Sequence, residues 1–132
     1  MSKEKEIFDS CNIIAIVGLS ANKERASNHV GSYLQEQGYK IIPVNPSAEN
    51  ILGEKCYPAL KSIHRIIDVV DIFRDSDSVL PIVEDAIEIG AKAIWMQEGV
   101  INQEAAVKAE EAGLKVVMDK CMLKEHIRIF GY

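Results

Sequence analysis

One stretch near the start of the sequence constrains the fold more than any other. The apolar run Asn12–Val17 ends at Gly18, a polar loop follows from Ser20 to Ala26, and a helical pattern begins at Ser27. An apolar run of this length is typical of a parallel strand that is buried on both faces. Because glycine allows a tight turn and the first N–H groups of a helix attract anions, this segment predicts a corner that holds a phosphate.

Four further apolar runs alternate with helical patterns along the 132 residues. The periodicity predicts strands over 12–17, 41–44, 68–73, 92–96 and 114–118, and helices over 27–37, 76–89, 102–112 and 121–129. Successive right-handed strand–helix–strand units predict an α/β protein, a Rossmann-type open parallel five-stranded sheet with helices on both faces. We expect the strand order 3-2-1-4-5 and a single domain over residues 1–132.

Residues with special backbone or capping properties add local predictions. Ser27 is expected to cap its helix, Gly38 to end it, and Gly31 to let it pack closely on the sheet. Asn102 is expected to cap a later helix. Because proline donates no hydrogen bond to a sheet, Pro43 is expected near the end of its strand or at a bulge.

Charge and cysteine content exclude several classes of function. The net charge is −5 without a block of like charges, which argues against nucleic-acid partners and a polybasic membrane surface. The three cysteines are widely separated and lack a C-x-x-C pair, so they predict neither a disulfide framework nor a metal site. Without an apolar signal or membrane span, we expect a cytoplasmic protein with a small-molecule ligand. A protein partner or a homo-oligomer stays open.

Polar or conformationally special residues follow every predicted strand. In an open parallel sheet, ligands bind beyond the carboxyl ends of the strands, where the strand order reverses. For the expected order this point lies between the first and fourth strands. The candidate ligand-binding residues after the strands are Gly18, Leu19, Ser20, Val44, Asn45, Pro46, Phe73, Arg74, Gln97, Gly99, Asp119, Lys120 and Cys121.

The loop after the first strand does not match the dinucleotide-binding fingerprint. After Gly18 the second and third glycines of G-x-G-x-x-G are missing, and the second strand ends without an acidic residue for a ribose. The loop instead carries Lys23 and Arg25, which either are solvated charges or bind a phosphate through charge-assisted hydrogen bonds. Ser20 and Ser27 are further donors for such a ligand.

Six runs occur in a familiar order: VGLS, IPVNP, LGEKCYPAL, DVVDIFR, AIEIGAKAIWMQEGV and VVMDKCMLKEH. Together they resemble the small stand-alone CoA-binding proteins, which are similar to the CoA-binding domain of the succinyl-CoA synthetase α chain. The resemblance extends from about Ser10 to about Arg128. It implies a Rossmann-type, nucleotide-binding fold with coenzyme A as the cofactor.

The resemblance also implies roles for the candidate residues. The first loop would approach the CoA diphosphate, with Arg25 and Ser27 completing the phosphate site. Val44, Asn45 and Pro46 would border the nucleotide. Phe73 and Arg74 would line the crevice, Gln97 and Gly99 would lie along the pantetheine, and Asp119, Lys120 and Cys121 match a segment that precedes the later catalytic region of the synthetase.

The resemblance does not extend to the catalytic histidine of the synthetase, which a following domain supplies. We therefore expect a binding, carrier or sensor module for CoA or an acyl-CoA, with no catalytic residues of its own. One alternative is an enzyme that acts on an acyl-CoA thioester through Cys121 or His126. A second alternative is an NAD(P)-binding protein. Asp71 is unusual inside a predicted strand, and we expect it at a sheet edge or at a cap.

Overall fold

The computed structural model describes residues 2–131, so Met1 and Tyr132 of the expected domain lie outside the described residues. A five-stranded parallel sheet carries helices on both faces, which confirms the predicted α/β fold class. The strands are β1 (Ile13–Val17), β2 (Lys40–Val44), β3 (Val69–Ile72), β4 (Ala93–Met96) and β5 (Lys115–Val117). The helices are α1 (Lys3–Ser10), α2 (Ala26–Glu36), α3 (Val79–Glu88), α4 (Gln103–Glu111) and α5 (Met122–Phe130).

The predicted strand order 3-2-1-4-5 is wrong. The sheet has the order β2-β1-β3-β4-β5, with β3 beside β1 and β2 at the edge. The outer side of β2 is occupied by the connection that leads to β3, because the Tyr57 N–H donates to Pro43 O at 3.0 Å and the Asn45 N–H donates to Tyr57 O at 2.9 Å. The strand order therefore reverses between β1 and β3, and not between the first and fourth strands.

The edge position of β2 also explains Pro43. Its carbonyl faces outward to Tyr57, whereas the Val44 carbonyl faces β1 and accepts the Gly18 N–H at 2.9 Å. An outward-facing position on an edge strand needs no N–H donor, so proline is tolerated there. Pro43 is also the fourth of the five residues of β2, which confirms the expected position near the end of the strand.

Alternate residues of each strand pack into two separate apolar layers, as the period of a strand requires. Ala15 and Val17 of β1 pack under α3 and α4, while Ile14 and Ile16 pack under α1, α2 and α5. Burial of the central strands on both faces accounts for their continuous apolar sequences.

Most of the predicted helix ends are confirmed. Asn102 caps α4 by accepting the Ala105 N–H at 2.9 Å, and Gly38 follows α2 with a φ of +96°. A Cβ on Gly31 would lie 2.9 Å from Leu52 Cδ1, which confirms close packing of α2. The prediction for Ser27 is wrong, since Arg25 occupies the N-cap position and Ser27 lies within the first turn.

A small hairpin between β2 and β3 is not predicted by the sequence pattern. Asn50–Ile51 pairs with Glu54–Lys55 in antiparallel fashion, and the two turn residues, Leu52 and Gly53, have φ values of +55° and +77°. Two positive φ values are those of a type I′ turn. The sequence does not predict this turn, because its first position is leucine, whereas asparagine or glycine is the usual residue there.

The Asn102 cap gives a direct test of the fold. Replacement of Asn102 by Ala removes the acceptor for the Ala105 N–H and the donor for Ser76 O, so we expect the free energy of unfolding to fall by about 1–2 kcal/mol. Urea denaturation measures the change. Asn102→Asp keeps the capping oxygen and should lose less stability than Asn102→Ala; equal losses would contradict the capping role.

Candidate functional site

A cavity of about 490 Å³ opens at the carboxyl ends of β2, β1 and β3, where the strand order reverses. This volume is within the range of small-molecule sites. Seven of the predicted site residues line it, from the loops after three strands and from the start of α2: Gly18, Arg25, Val44, Asn45, Pro46, Phe73 and Arg74.

Gly18 is the point where the three strand ends meet. Its φ is +91°, and a Cβ at this position would lie 2.4 Å from the Phe73 carbonyl oxygen. Its N–H donates to Val44 O at 2.9 Å. Because that N–H is used inside the sheet, it is not available to a ligand, and the missing side chain instead makes room for the Phe73 backbone at the end of β3.

The loop after Gly18 is closed by its own hydrogen bonds. The Ser20 N–H donates to Ser27 Oγ at 2.9 Å, and Asn28 Nδ2 donates to Ser20 O at 2.8 Å. Leu19 is fully buried, and its carbonyl accepts from Asn45 Nδ2 at 3.0 Å. Gly18 and Ser20 therefore do not offer free N–H groups to a phosphate, because both amides already have partners within the protein.

Positive charge at the cavity comes from two arginine side chains. Arg25 and Arg74 are exposed, and neither forms an ion pair with any residue between 2 and 131. Arg25 also occupies the N-cap of α2, and its own side chain makes no capping hydrogen bond. The uncapped helix start and the two guanidinium groups together favour an anionic ligand.

Lys23 lies apart from this cavity, although it belongs to the same loop as Arg25. It lines a wider depression beside α2, together with His29, Tyr33 and Leu52. The two basic residues of the loop therefore face different surfaces.

The other predicted residues form a second group at the ends of β4 and β5. Gln97 is buried, its Oε1 accepts the Met122 N–H at 3.3 Å, and its Nε2 donates to Lys120 O at 3.4 Å. The Gly99 N–H donates to Asp119 Oδ1 at 2.7 Å. These bonds join the two loops at the same edge of the sheet, but none of the group lines the 490 Å³ cavity.

Lys120 and Cys121 occupy the short turn before α5. The Lys120 ammonium pairs with Glu4 Oε2 of α1 at 2.8 Å, which holds that charge away from the cavity. Cys121 is half-buried at the N-cap position of α5. Lys120 therefore has a structural partner, and Cys121 is a half-buried thiol beyond the end of β5.

His126 is buried on α5 and not on a solvated helix face. Its Nδ1 lies 2.7 Å from the Tyr33 hydroxyl, and the rings of Phe8, Tyr39 and Phe130 pack around it. Burial lowers the pKa of His126 below its usual value. The aromatic surroundings separate the imidazole from the crevice.

Asp71 is the least expected side chain of the sheet. It lies in β3 between Ile16 and Trp95, fully buried, and neither carboxyl oxygen has a hydrogen-bond partner in the described part of the chain. Burial raises the pKa of Asp71 well above its usual value. The expectation of an edge or cap position is wrong, because β3 is the central strand.

Half of the residues that line the cavity are not among the predicted site residues. The missed residues are Val17, Ser47, Pro58, Ala59, Leu60, Ile82 and Asp85. The run LGEKCYPAL, part of the family resemblance, contained a signal for three of them. Ile82 and Asp85 gave none, since they lie in the middle of a helix.

Fold and crevice define the class of protein: a doubly wound α/β domain with its cavity at the switch point of the sheet. The family model of the CoA binding domain matches residues 12–127, and the chain belongs to this family. The resemblance to the CoA-binding proteins is thereby confirmed. None of the described helices has the length and apolar character needed to cross a bilayer.

Relatives of similar length share the whole domain. The uncharacterized protein YneT of Bacillus subtilis (strain 168) is 40% identical over 122 residues, which cover 92% of this chain and 90% of the relative. A solved structure of a hypothetical protein from Pyrococcus horikoshii OT3 is 45% identical, covers 97% of this chain and 90% of that one, and has a TM-score of 0.93.

Longer relatives contain the domain as one part. The acetate–CoA ligase [ADP-forming] II of Archaeoglobus fulgidus is 28% identical over 120 residues, which cover 89% of this chain. The chain spans only 17% of the length of that ligase.

Replacement of Gly18 by Ala tests the meeting point of the strands. The new Cβ would need positive φ and would lie 2.4 Å from a backbone oxygen, so we expect a loss of about 3 kcal/mol or more in the free energy of unfolding. Gly90→Ala is the matched control, since Gly90 has a φ of +80° but open space around its Cβ, and should cost about 1 kcal/mol. Chemical denaturation of both variants measures the difference, and equal losses would contradict the steric role.

The buried carboxyl of Asp71 predicts an unusual dependence of stability on pH. Because burial raises the pKa of Asp71 in the folded state, the contribution of this group to the free energy of unfolding is fully present below about pH 4. That contribution is lost as the pH rises toward the folded-state pKa of Asp71. Asparagine does not titrate in this range. The free energy of unfolding of Asp71→Asn minus that of the parent protein should therefore increase by up to about 1.4 kcal/mol for each pH unit between about 4 and the folded-state pKa of Asp71. Urea denaturation of both proteins at several pH values provides the measurement; parallel pH profiles would contradict the prediction.

Proposed function

We propose that this chain binds coenzyme A or an acyl-CoA across the carboxyl ends of its strands. One observation carries the proposal: in a member of the CoA binding domain family, the switch-point cavity combines two unpaired arginines with apolar walls. Such a cavity suits a ligand that has phosphates at one end and a flat base at the other.

The phosphates lie, in this proposal, over Gly18 and between Arg25 and Arg74. The missing side chain at Gly18 lets the Phe73 backbone and the Arg74 side chain come close to it, with Arg74 Cδ 3.2 Å from the position a Cβ would take. Because the chain carries a net charge of −5, binding of a polyphosphate depends on these local guanidinium groups. The uncapped start of α2 adds a favourable partial charge.

The pantetheine arm extends, in this proposal, along the second group of loop residues. Gln97 is held by two hydrogen bonds and Gly99 by Asp119, so the edge beyond β4 is a preorganised surface. The arm would end near Cys121, the half-buried residue before α5. Four other predicted residues support the loops along this path. Leu19, Ser20 and Ser27 form hydrogen bonds that hold the first loop, and the Lys120 carbonyl accepts from Gln97.

A binding, carrier or sensor role fits the geometry better than catalysis. An acyl-transfer enzyme needs a nucleophile within hydrogen-bond reach of a base. Among the described residues, His126 is enclosed by aromatic rings and bonded to Tyr33, so it does not serve Cys121 as a base. We therefore propose that the chain presents or protects CoA and does not itself transform it.

Calorimetric titration with coenzyme A tests the proposal. We expect saturable binding with a dissociation constant below about 1 mM. Arg25→Gln and Arg74→Gln should each weaken binding by about tenfold, since each removes a charge-assisted bond to phosphate.

The matched control is Arg65→Gln. It makes the same change in net charge, but Arg65 lies beside Lys40 at the amino end of β2 and lines a different cavity. Its CoA affinity should be unchanged. Absence of saturable binding, tighter binding of NADH in direct competition, or equal losses in all three variants would refute the proposed site.

A further inference from the structure

Asp85 is a carboxylate in the wall of a cavity that should otherwise attract anions. Asp85 lies on α3, and this helix starts at the carboxyl edge of the sheet and runs back along it. At about 1.5 Å per residue, Asp85 is about 9 Å along the helix axis from Val79 at the start of α3. Arg25 and Arg74 belong to the loops at the edge itself. The cavity therefore has a basic end at the strand tips and an acidic group further along its wall, on α3.

The nearest cation leaves part of this carboxylate available. Lys61 Nζ lies 3.5 Å from Asp85 Oδ1 but 2.9 Å from Glu88 Oε2, so its closer partner is Glu88. Asp85 Oδ2 forms no hydrogen bond in the part of the chain that the structure describes. Apolar side chains from Leu60 and Ile82 line the same cavity, and an acceptor between such walls selects a donor with a flat apolar body.

We propose that Asp85 determines the base specificity of the site by accepting a hydrogen bond from the exocyclic amine of an adenine ring. The inference rests on the proposed function. A carboxylate repels phosphate, so it orients the nucleotide with the phosphates at the arginines and the base toward α3. In coenzyme A the ribose 3′-oxygen carries a phosphate, which keeps the remaining hydroxyl away from a carboxylate. The amine of the base is then the donor that matches Asp85.

Two probes that differ at a single group test this inference. Adenosine 3′,5′-bisphosphate has the amine, whereas inosine 3′,5′-bisphosphate has an oxo group that Asp85 would repel. Calorimetry on the full chain should show the adenosine compound binding at least about tenfold more tightly, as expected for a hydrogen bond to a charged group. Equal affinities in the parent protein would overturn the inference while leaving the proposed function intact.

Asp85→Asn supplies the second measurement. An amide accepts from the amine or donates to the oxo group, so the preference for adenosine should fall to within about threefold. Lys61 keeps Glu88 as its partner in this variant. Glu84→Gln is the control, because Glu84 is the preceding residue, is exposed, and makes the same charge change outside the cavity.

The outcomes separate the two proposals. Full retention of the adenosine preference in Asp85→Asn, or an equal loss in Glu84→Gln, would assign the selectivity to other groups and overturn the role of Asp85. Failure of coenzyme A and both bisphosphates to bind the parent protein would overturn the proposed function together with this inference.

Discussion

The absence of a side chain at Gly18 is the constraint on which the site depends. The ends of β2, β1 and β3 converge there: the Gly18 N–H bonds to Val44 O, and the Phe73 carbonyl occupies the space where a Cβ would be. Any larger residue would push β3 away from β1. The cavity at the switch point exists because these three strand ends approach so closely, and the loops that carry Arg25 and Arg74 start from this junction.

Two aspartates on and beside β3 have opposite electrostatic environments. Asp68, at the amino end, accepts the Asn12 and Ile13 N–H groups at 2.8 and 3.0 Å and pairs with Lys92, and these interactions lower its pKa although burial opposes them. Asp71, three residues further on, has no such partners, and burial raises its pKa. The Asp68 carboxylate links the start of β1 to β3. The buried Asp71 carboxyl group destabilises the fold, and the surrounding packing must offset this effect.

The placement of charge turns an acidic protein into a candidate anion binder. Most lysines are held by carboxylates at the surface, as Lys120 is by Glu4 and Lys124 by Glu98. Arg25 and Arg74 form no ion pair with residues 2–131 and line the crevice, and Asp85 lies further along its wall on α3. In the proposed function, the ligand meets these charges along its length, so the same groups set both its orientation and its affinity.

The sequence alone determined the class of fold, the helix ends at Gly38 and Asn102, and much of the cavity. Apolar periodicity, glycines and capping residues are local signals, and the family resemblance located Arg25, Asn45 and Arg74. Sequence did not determine the order of the strands. The pairing of Tyr57 with the outer side of β2 depends on hydrogen bonds between separate segments of the chain, which local sequence patterns do not show. For the same reason it did not reveal Asp85, whose position in the cavity follows only from how α3 packs on the sheet, or that the Gly18 and Ser20 amides are already bonded.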